Sequence, residues 1–168
     1  DLELVVDSVH PATTTIQRHA GTGVSSIYGD VLQFDVTVTP PTAAGTVEIR
    51  NGGTLLGAVA MTGGYCTIAI PETALAVGSH PNLIAVYQGN LNHQPGTSVP
   101  LAPAQLVTPK SLNIINATAL DKYYDGTTTA SISGTLAGVE DGDSVTLNPA
   151  GIFASANPGT NIAVTSIS

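Results

Sequence analysis

The stretch Gly45 to Gly57, GTVEIRNGGTLLG, admits little besides two β-strands folded back on each other. Val47 and Ile49 alternate with Thr46, Glu48 and Arg50, which gathers the apolar side chains on one face of a half-buried strand. Asn51-Gly52-Gly53 then breaks the run. Asn and Gly tolerate the positive φ angles of tight hairpin turns, and Leu55-Leu56 resume the extended pattern directly afterwards. A chain organised around such a hairpin is expected to be all-β.

Composition extends that expectation to the whole chain. Eighteen Gly and eleven Pro, spread along 168 residues, interrupt nearly every attempt at a long helix. Only 10% of residues are charged and the net charge is −8, so the surface cannot neutralise a phosphate backbone. Nucleic acid and anionic membrane are therefore poor partners, and no apolar run is long enough to insert into a bilayer. With 42% hydrophobic residues the chain should fold, showing Thr, Ser, Asn and Gly to solvent, a habit of exported β proteins. The chain begins abruptly at Asp1, which fits a mature or excised fragment as well as it fits a cytosolic protein. One cysteine, Cys66, precludes an intramolecular disulfide or a multi-cysteine metal site. It shares a strand face with Ile68 and Ile70 and reads as a small core hydrophobe.

Taken in order, Asp1 to Val9 alternates as a strand, with Leu2, Leu4 and Val6 on one face, until His10-Pro11 ends it. A short strand at Thr13 to Ile16 precedes the Gly21-Thr22-Gly23 break. Val31 to Thr39 follows, with Leu32, Phe34, Val36 and Val38 as its buried face. After the hairpin come Ala58 to Met61, a Gly63-Gly64 turn, the Cys66 strand to Pro71, one helical turn at Glu72 to Leu75, and a strand at Leu83 to Tyr87. Thr97 to Val107 is expected as a last strand, confined to a sheet edge by Pro100 and Pro103. About seven short strands with turns between them describe an immunoglobulin-like sandwich.

Within that pattern, Gly45-Thr46-Val47, the run Asn51 to Gly57, Leu75-Ala76-Val77-Gly78-Ser79-His80 and Ala85-Val86-Tyr87-Gln88-Gly89-Asn90 resemble the bacterial Ig-like repeat domains of large secreted and surface proteins. Those domains run GTVTF, DGGTxLG, LxxGxH and AxYxGDxxY, and the resemblance covers about residues 12 to 107. Here Asn90 stands where Asp is usual, His93 where Tyr is usual, and Pro81 falls within the third motif, departures that count against a calcium or tyrosine-packing role at that loop but not against the fold.

Thr108-Pro109-Lys110 reads as a linker, so residues 1–11 form a leading strand, 12–107 one domain and 111–168 another. In the second, Lys122, Tyr124, Asp125, Gly126, Thr127 and Thr128 resemble the motif of the YDG domain, a small sandwich-like β module repeated in bacterial haemagglutinin-like adhesins. Locally, Asp125-Gly126 makes a turn, Tyr124 supplies a ring to pack beside it, and the threonines lead into the next strand. Modules of this kind continue into a further strand pair past the position of Ile167, so the second domain is expected to lack its last strand.

No catalytic constellation is legible: there is no nucleophile elbow, phosphate-binding loop or dinucleotide fingerprint, and a non-enzyme is expected. Glu140, Asp141 and Asp143 are the densest acidic group, but they lack the spaced oxygen donors of a calcium loop and read as a solvated turn, with no cofactor expected. His10, His19, His80 and His93 show no metal-ligand spacing and read as surface loop residues. Lys110 and Lys122 read as solvated lysines rather than partners in isopeptide bonds. Five tyrosines and no tryptophan offer little for the aromatic platforms that hold sugars.

The ends remain. The strand at Leu2, Leu4 and Val6 is complementary to the gap expected in the second domain. It is either the tail of a preceding repeat in a longer array or an inter-subunit strand that fills a neighbour's domain head to tail. The expected role is structural, in an extracellular or surface adhesin, stalk or fibre; binding of a host or surface glycan is the alternative.

Overall fold

The computed structural model describes residues 9–148 and 150–167, and these contain strands and no helix. Leu2, Leu4 and Val6, with the rest of the expected strand before Val9, lie outside the described residues. The chain divides into two compact units, Asp1–Lys110 and Ser111–Ser168.

In the first unit, β1 (Thr13–Arg18), β3 (Leu32–Thr39) and β6 (Tyr65–Ile70) form one antiparallel sheet in the order β1-β3-β6. Strands β4 (Gly45–Asn51), β5 (Thr54–Met61), β8 (Leu83–Tyr87) and β9 (Gly96–Thr97) form a second, ordered β5-β4-β8-β9. A third, small sheet places β10 (Gln105–Thr108) between β2 (Ser25–Ile27) and β7 (Gly78–His80). Phe34, Val36 and Val38 from one face and Val47, Ile49, Leu83 and Tyr87 from the other join one continuous core, so the two larger sheets pack face to face as a sandwich. Each such side chain contributes about 1.5–3 kcal/mol by leaving water.

The hairpin is the one expected, with Asn51 opposite Thr54 and Gly52 at φ 58. A bulge adds Leu56 to β5, where it packs on the core while Leu55 stays exposed. Gly63 and Gly64 both take positive φ, and Gly64 has no room for a side chain: a Cβ there would stand 2.6 Å from the Val38 carbonyl oxygen.

Two local expectations are corrected. Residues 72–75 make no helical turn; Ala74 N–H donates to the Pro71 carbonyl in a single reverse turn. The expected last strand is divided. Its first part runs irregularly along β8, through Ser98 N–H to Ala85 O and Leu101 N–H to Leu83 O, with Pro100 and Pro103 in this connection. Beyond those prolines β10 keeps all its amides and is central, parallel to β2 and antiparallel to β7, rather than at an edge. Strand β2 has no signature in the sequence, because Ser-Ser-Ile carries no alternation of its own.

The second unit aligns β11 (Asn113–Ala119), β12 (Thr129–Ala137), β13 (Ala150–Phe153) and β14 (Val164–Ile167) in chain order as one antiparallel sheet. Asn116 adopts φ 54 in the bulge between Ile115 and Thr118. Ala130 is its one buried hydrophobic residue among those described, while Ile114, Ile115, Val145 and Ile152 are exposed.

Candidate functional site

The motif at residues 122–127 forms a closed clamp in the loop between β11 and β12. Lys122 Nζ donates to Asp125 Oδ1 at 2.9 Å, to the Thr127 carbonyl at 2.9 Å and to Thr127 Oγ1 at 2.8 Å. The Thr127 amide and hydroxyl both donate back to Asp125 Oδ1, at 2.8 and 2.9 Å. Three acceptors use all three ammonium hydrogens. The bond from Lys122, followed by those from the Thr127 amide and hydroxyl, holds the Asp125 carboxyl at about 2. Lys122 also lies 5.8 Å above the Phe153 ring, which ties the loop to β13. Gly126 takes φ 74 with open space around it, the turn conformation the sequence predicted.

The structure corrects two readings of this motif. Lys122 is the hub of the loop rather than a solvated lysine. Tyr124 does not pack beside the turn: it is 69% exposed, and Tyr123 is 98% exposed. Both residues line an open groove of about 610 Å³, which the loop after β13, including Asn157, Thr160 and Asn161, also lines. The walls come together because Phe153 N–H donates to the Thr128 carbonyl and Ala154 N–H to the Ala163 carbonyl. Sequence reasoning missed this groove; the adjacent tyrosines before the turn were the available signal.

Elsewhere, Asp143 N–H donates to the Glu140 carbonyl and Gly142 takes φ 92, so Glu140, Asp141 and Asp143 occupy a tight turn, with Asp141 and Asp143 at the surface. Among the described residues no three His, Cys, Asp or Glu side chains gather as a metal group.

The histidines are less peripheral than expected. His93 is 7% exposed, with its ring 6.2 Å from that of His10, because His10 N–H donates to Asn92 O and Gln94 N–H to His10 O. Asn90 builds that loop. Its Oδ1 accepts from the Asn92 and His93 amides, and its Nδ2 donates to Ala44 O, the carbonyl that Tyr87 Oη also reaches. His80 bridges Ala76 O and Asn51 Nδ2. As the carbonyl can only accept, Nε2 carries the hydrogen and Nδ1 accepts from the amide.

His19 Nδ1 meets buried Asp35 Oδ1 at 2.9 Å, and Thr67 donates to the same oxygen at 2.6 Å. Burial pushes the Asp35 carboxyl up, and the bonds from Thr67, His19 and Tyr65, with the His19 charge, outweigh it and hold the carboxyl below its ordinary range. Cys66 lies in the core, where burial and then the Asp35 charge push its thiol up, away from the reactive thiolate.

Comparison with known proteins agrees with this division. The family model described as "Bacterial Ig-like domain (group 3)" matches residues 19–104, and that described as "YDG domain" matches residues 108–168. No curated protein matches the chain.

Proposed function

We propose, from the premise that this chain belongs to the group 3 bacterial Ig-like family and continues into a YDG domain, that it is an extracellular structural unit of a bacterial adhesin, stalk or fibre. Tandem β-domains of these two families fit a bacterial surface protein, and neither family is known for catalysis. No described helix is long and apolar enough to cross a membrane. The role in this reading is mechanical: sandwiches give length, and strand pairing between units gives cohesion.

The observation that supports it is the second unit's sheet. Among the described residues β11 and β14 are its edges, and Ile114 and Ile152 leave apolar surface in water. An edge of this kind takes up an added strand through main-chain hydrogen bonds. In the head-to-tail form of the reading, the segment carrying Leu2, Leu4 and Val6 in one subunit adds to the second unit of the next, a contact that does not close on itself. Deleting residues 1–9 should then collapse the mass distribution seen by light scattering to monomer. An unchanged distribution sinks strand exchange and leaves neighbouring repeats of one chain as the source of cohesion.

A further inference from the structure

We propose that the groove of the second unit binds a neutral oligosaccharide, with Tyr123 and Tyr124 as its stacking surface. Adjacent aromatic rings this open to solvent leave apolar faces in water, and flat, hydroxyl-edged rings match the alternating apolar and polar faces of a pyranose. Tyr123 and Tyr124 stand between two fixed points of the loop, Lys122 and Asp125, which the clamp joins at 2.9 Å. The rings are thus presented on a held backbone, which lowers the ordering cost of binding.

The facing wall is uncharged. Asn157, Thr160 and Asn161 offer side-chain amide and hydroxyl groups, and the backbone N–H of Asn157 donates to Ser155 Oγ at 3.0 Å, which fixes the chain there. A few placed polar groups around aromatic surface are the usual make-up of a small-ligand site.

Charge decides the class of ligand. Lys122 is the one cation lining the groove, and its three hydrogens are taken by Asp125 and Thr127. The groove therefore has no cation to offer a phosphate, sulfate or sialic acid, and Asp121 and Asp125 repel them. A polypeptide segment is the other ligand that stacks on tyrosine, but the hydroxyl and amide groups of Ser155, Asn157, Thr160 and Asn161 in the lining favour a sugar.

The test uses the full chain titrated calorimetrically with chitohexaose, cellohexaose and maltohexaose, followed in parallel by tyrosine emission, which no tryptophan obscures. Saturable binding of at least one hexasaccharide is expected, weakened tenfold or more by Tyr123→Ala and by Tyr124→Ala. Neither variant should shift the melting temperature, since both rings are exposed. Tyr65→Ala, an exposed tyrosine of the first unit, should bind as the parent does. Failure of all three sugars to bind overturns the proposal, as does binding that survives both groove variants. Binding of unglycosylated gelatin without any sugar also overturns it and assigns the groove to polypeptide. Strand exchange is read separately by light scattering, so either proposal can fail alone.

Discussion

The two units reach a β fold by different means. The first hides Phe34, Val47, Ile49 and Tyr87 completely and pairs buried polar groups across distant segments, as Gln105 does by accepting from Arg18 Nε at 2.9 Å, while buried Thr14 Oγ1 is left without a hydrogen bond. The second buries Ala130 and otherwise, among the described residues, relies on backbone pairing and an exposed polar clamp. Apolar burial is the larger source of stability, so the first unit should resist mutation at its surface and fail at its centre. The second has little centre to attack, and its order depends on loops.

The sharpest way to break this contrast is truncation of a large side chain in each unit. Phe34→Ala should cost about 3–5 kcal/mol, whereas Ile152→Ala, 45% exposed, should cost less than about 1 kcal/mol. Thiol labelling of Cys66 in urea reads the first unit, because the chain's single cysteine lies in that core, and loss of the β12 and β13 amide signals by NMR in urea reads the second. Comparable losses for the two substitutions would mean that the units do not differ in packing as described.

Glycine offers a smaller, cleaner comparison. Gly64 and Gly126 have nearly the same φ, 72 and 74, but an added Cβ meets backbone at 2.6 Å in the first case and open space in the second. Gly126→Ala should cost about 1–2 kcal/mol from conformation alone. Gly64→Ala should cost clearly more, with the difference visible in thermal melts.

Acid separates the units next. Asp35 and Asp125 both have folded-state values below their unfolded ones, so each stabilises its unit above the unfolded value and loses that contribution as pH falls through the folded one. For Asp125 the window lies between 3.8 and about 2. Asp35→Asn should flatten the acid limb of the first unit's stability curve. A limb of unchanged slope would show that the Thr67 and His19 bonds do not couple to folding.

The smallest expected effect is on Lys122→Met. The Asp125 carboxyl should move up toward 3.8 in a carbon-detected NMR titration, with the chemical shifts of the first unit unaltered. A carboxyl still near 2 would show that Thr127 alone holds it.

Much of the first unit is legible in its sequence because its strands carry their own alternation: Leu32, Phe34, Val36 and Val38 announce a buried face before any partner is known. Strands β2 and β7 lack such a signal and exist through β10, a partner far away in the chain. The departure at Asn90 is visible in the sequence, but its reason is not, since only the fold brings Ala44 O to the amide hydrogen that an Asp would not carry. In the second unit the Lys122–Thr127 turn is readable because it is local. The groove is not, because its walls are separated by a strand pair and meet through Phe153 and Thr128. Aromatic count alone undervalued Tyr123 and Tyr124; position, not number, makes them a surface.

The parallel pairing of β2 with β10 sets how the first unit would respond to tension. Strand β2 lies toward the unit's leading end and β10 toward its trailing end, with Ser25, Ser26 and Ile27 opposite Leu106, Val107 and Thr108. Tension applied at the two ends would draw these strands past one another along their length. The Leu106–Val24 and Tyr28–Thr108 main-chain bonds and the Thr108 hydroxyl bond to Ser26 O would then be loaded together, in shear, rather than opened one at a time.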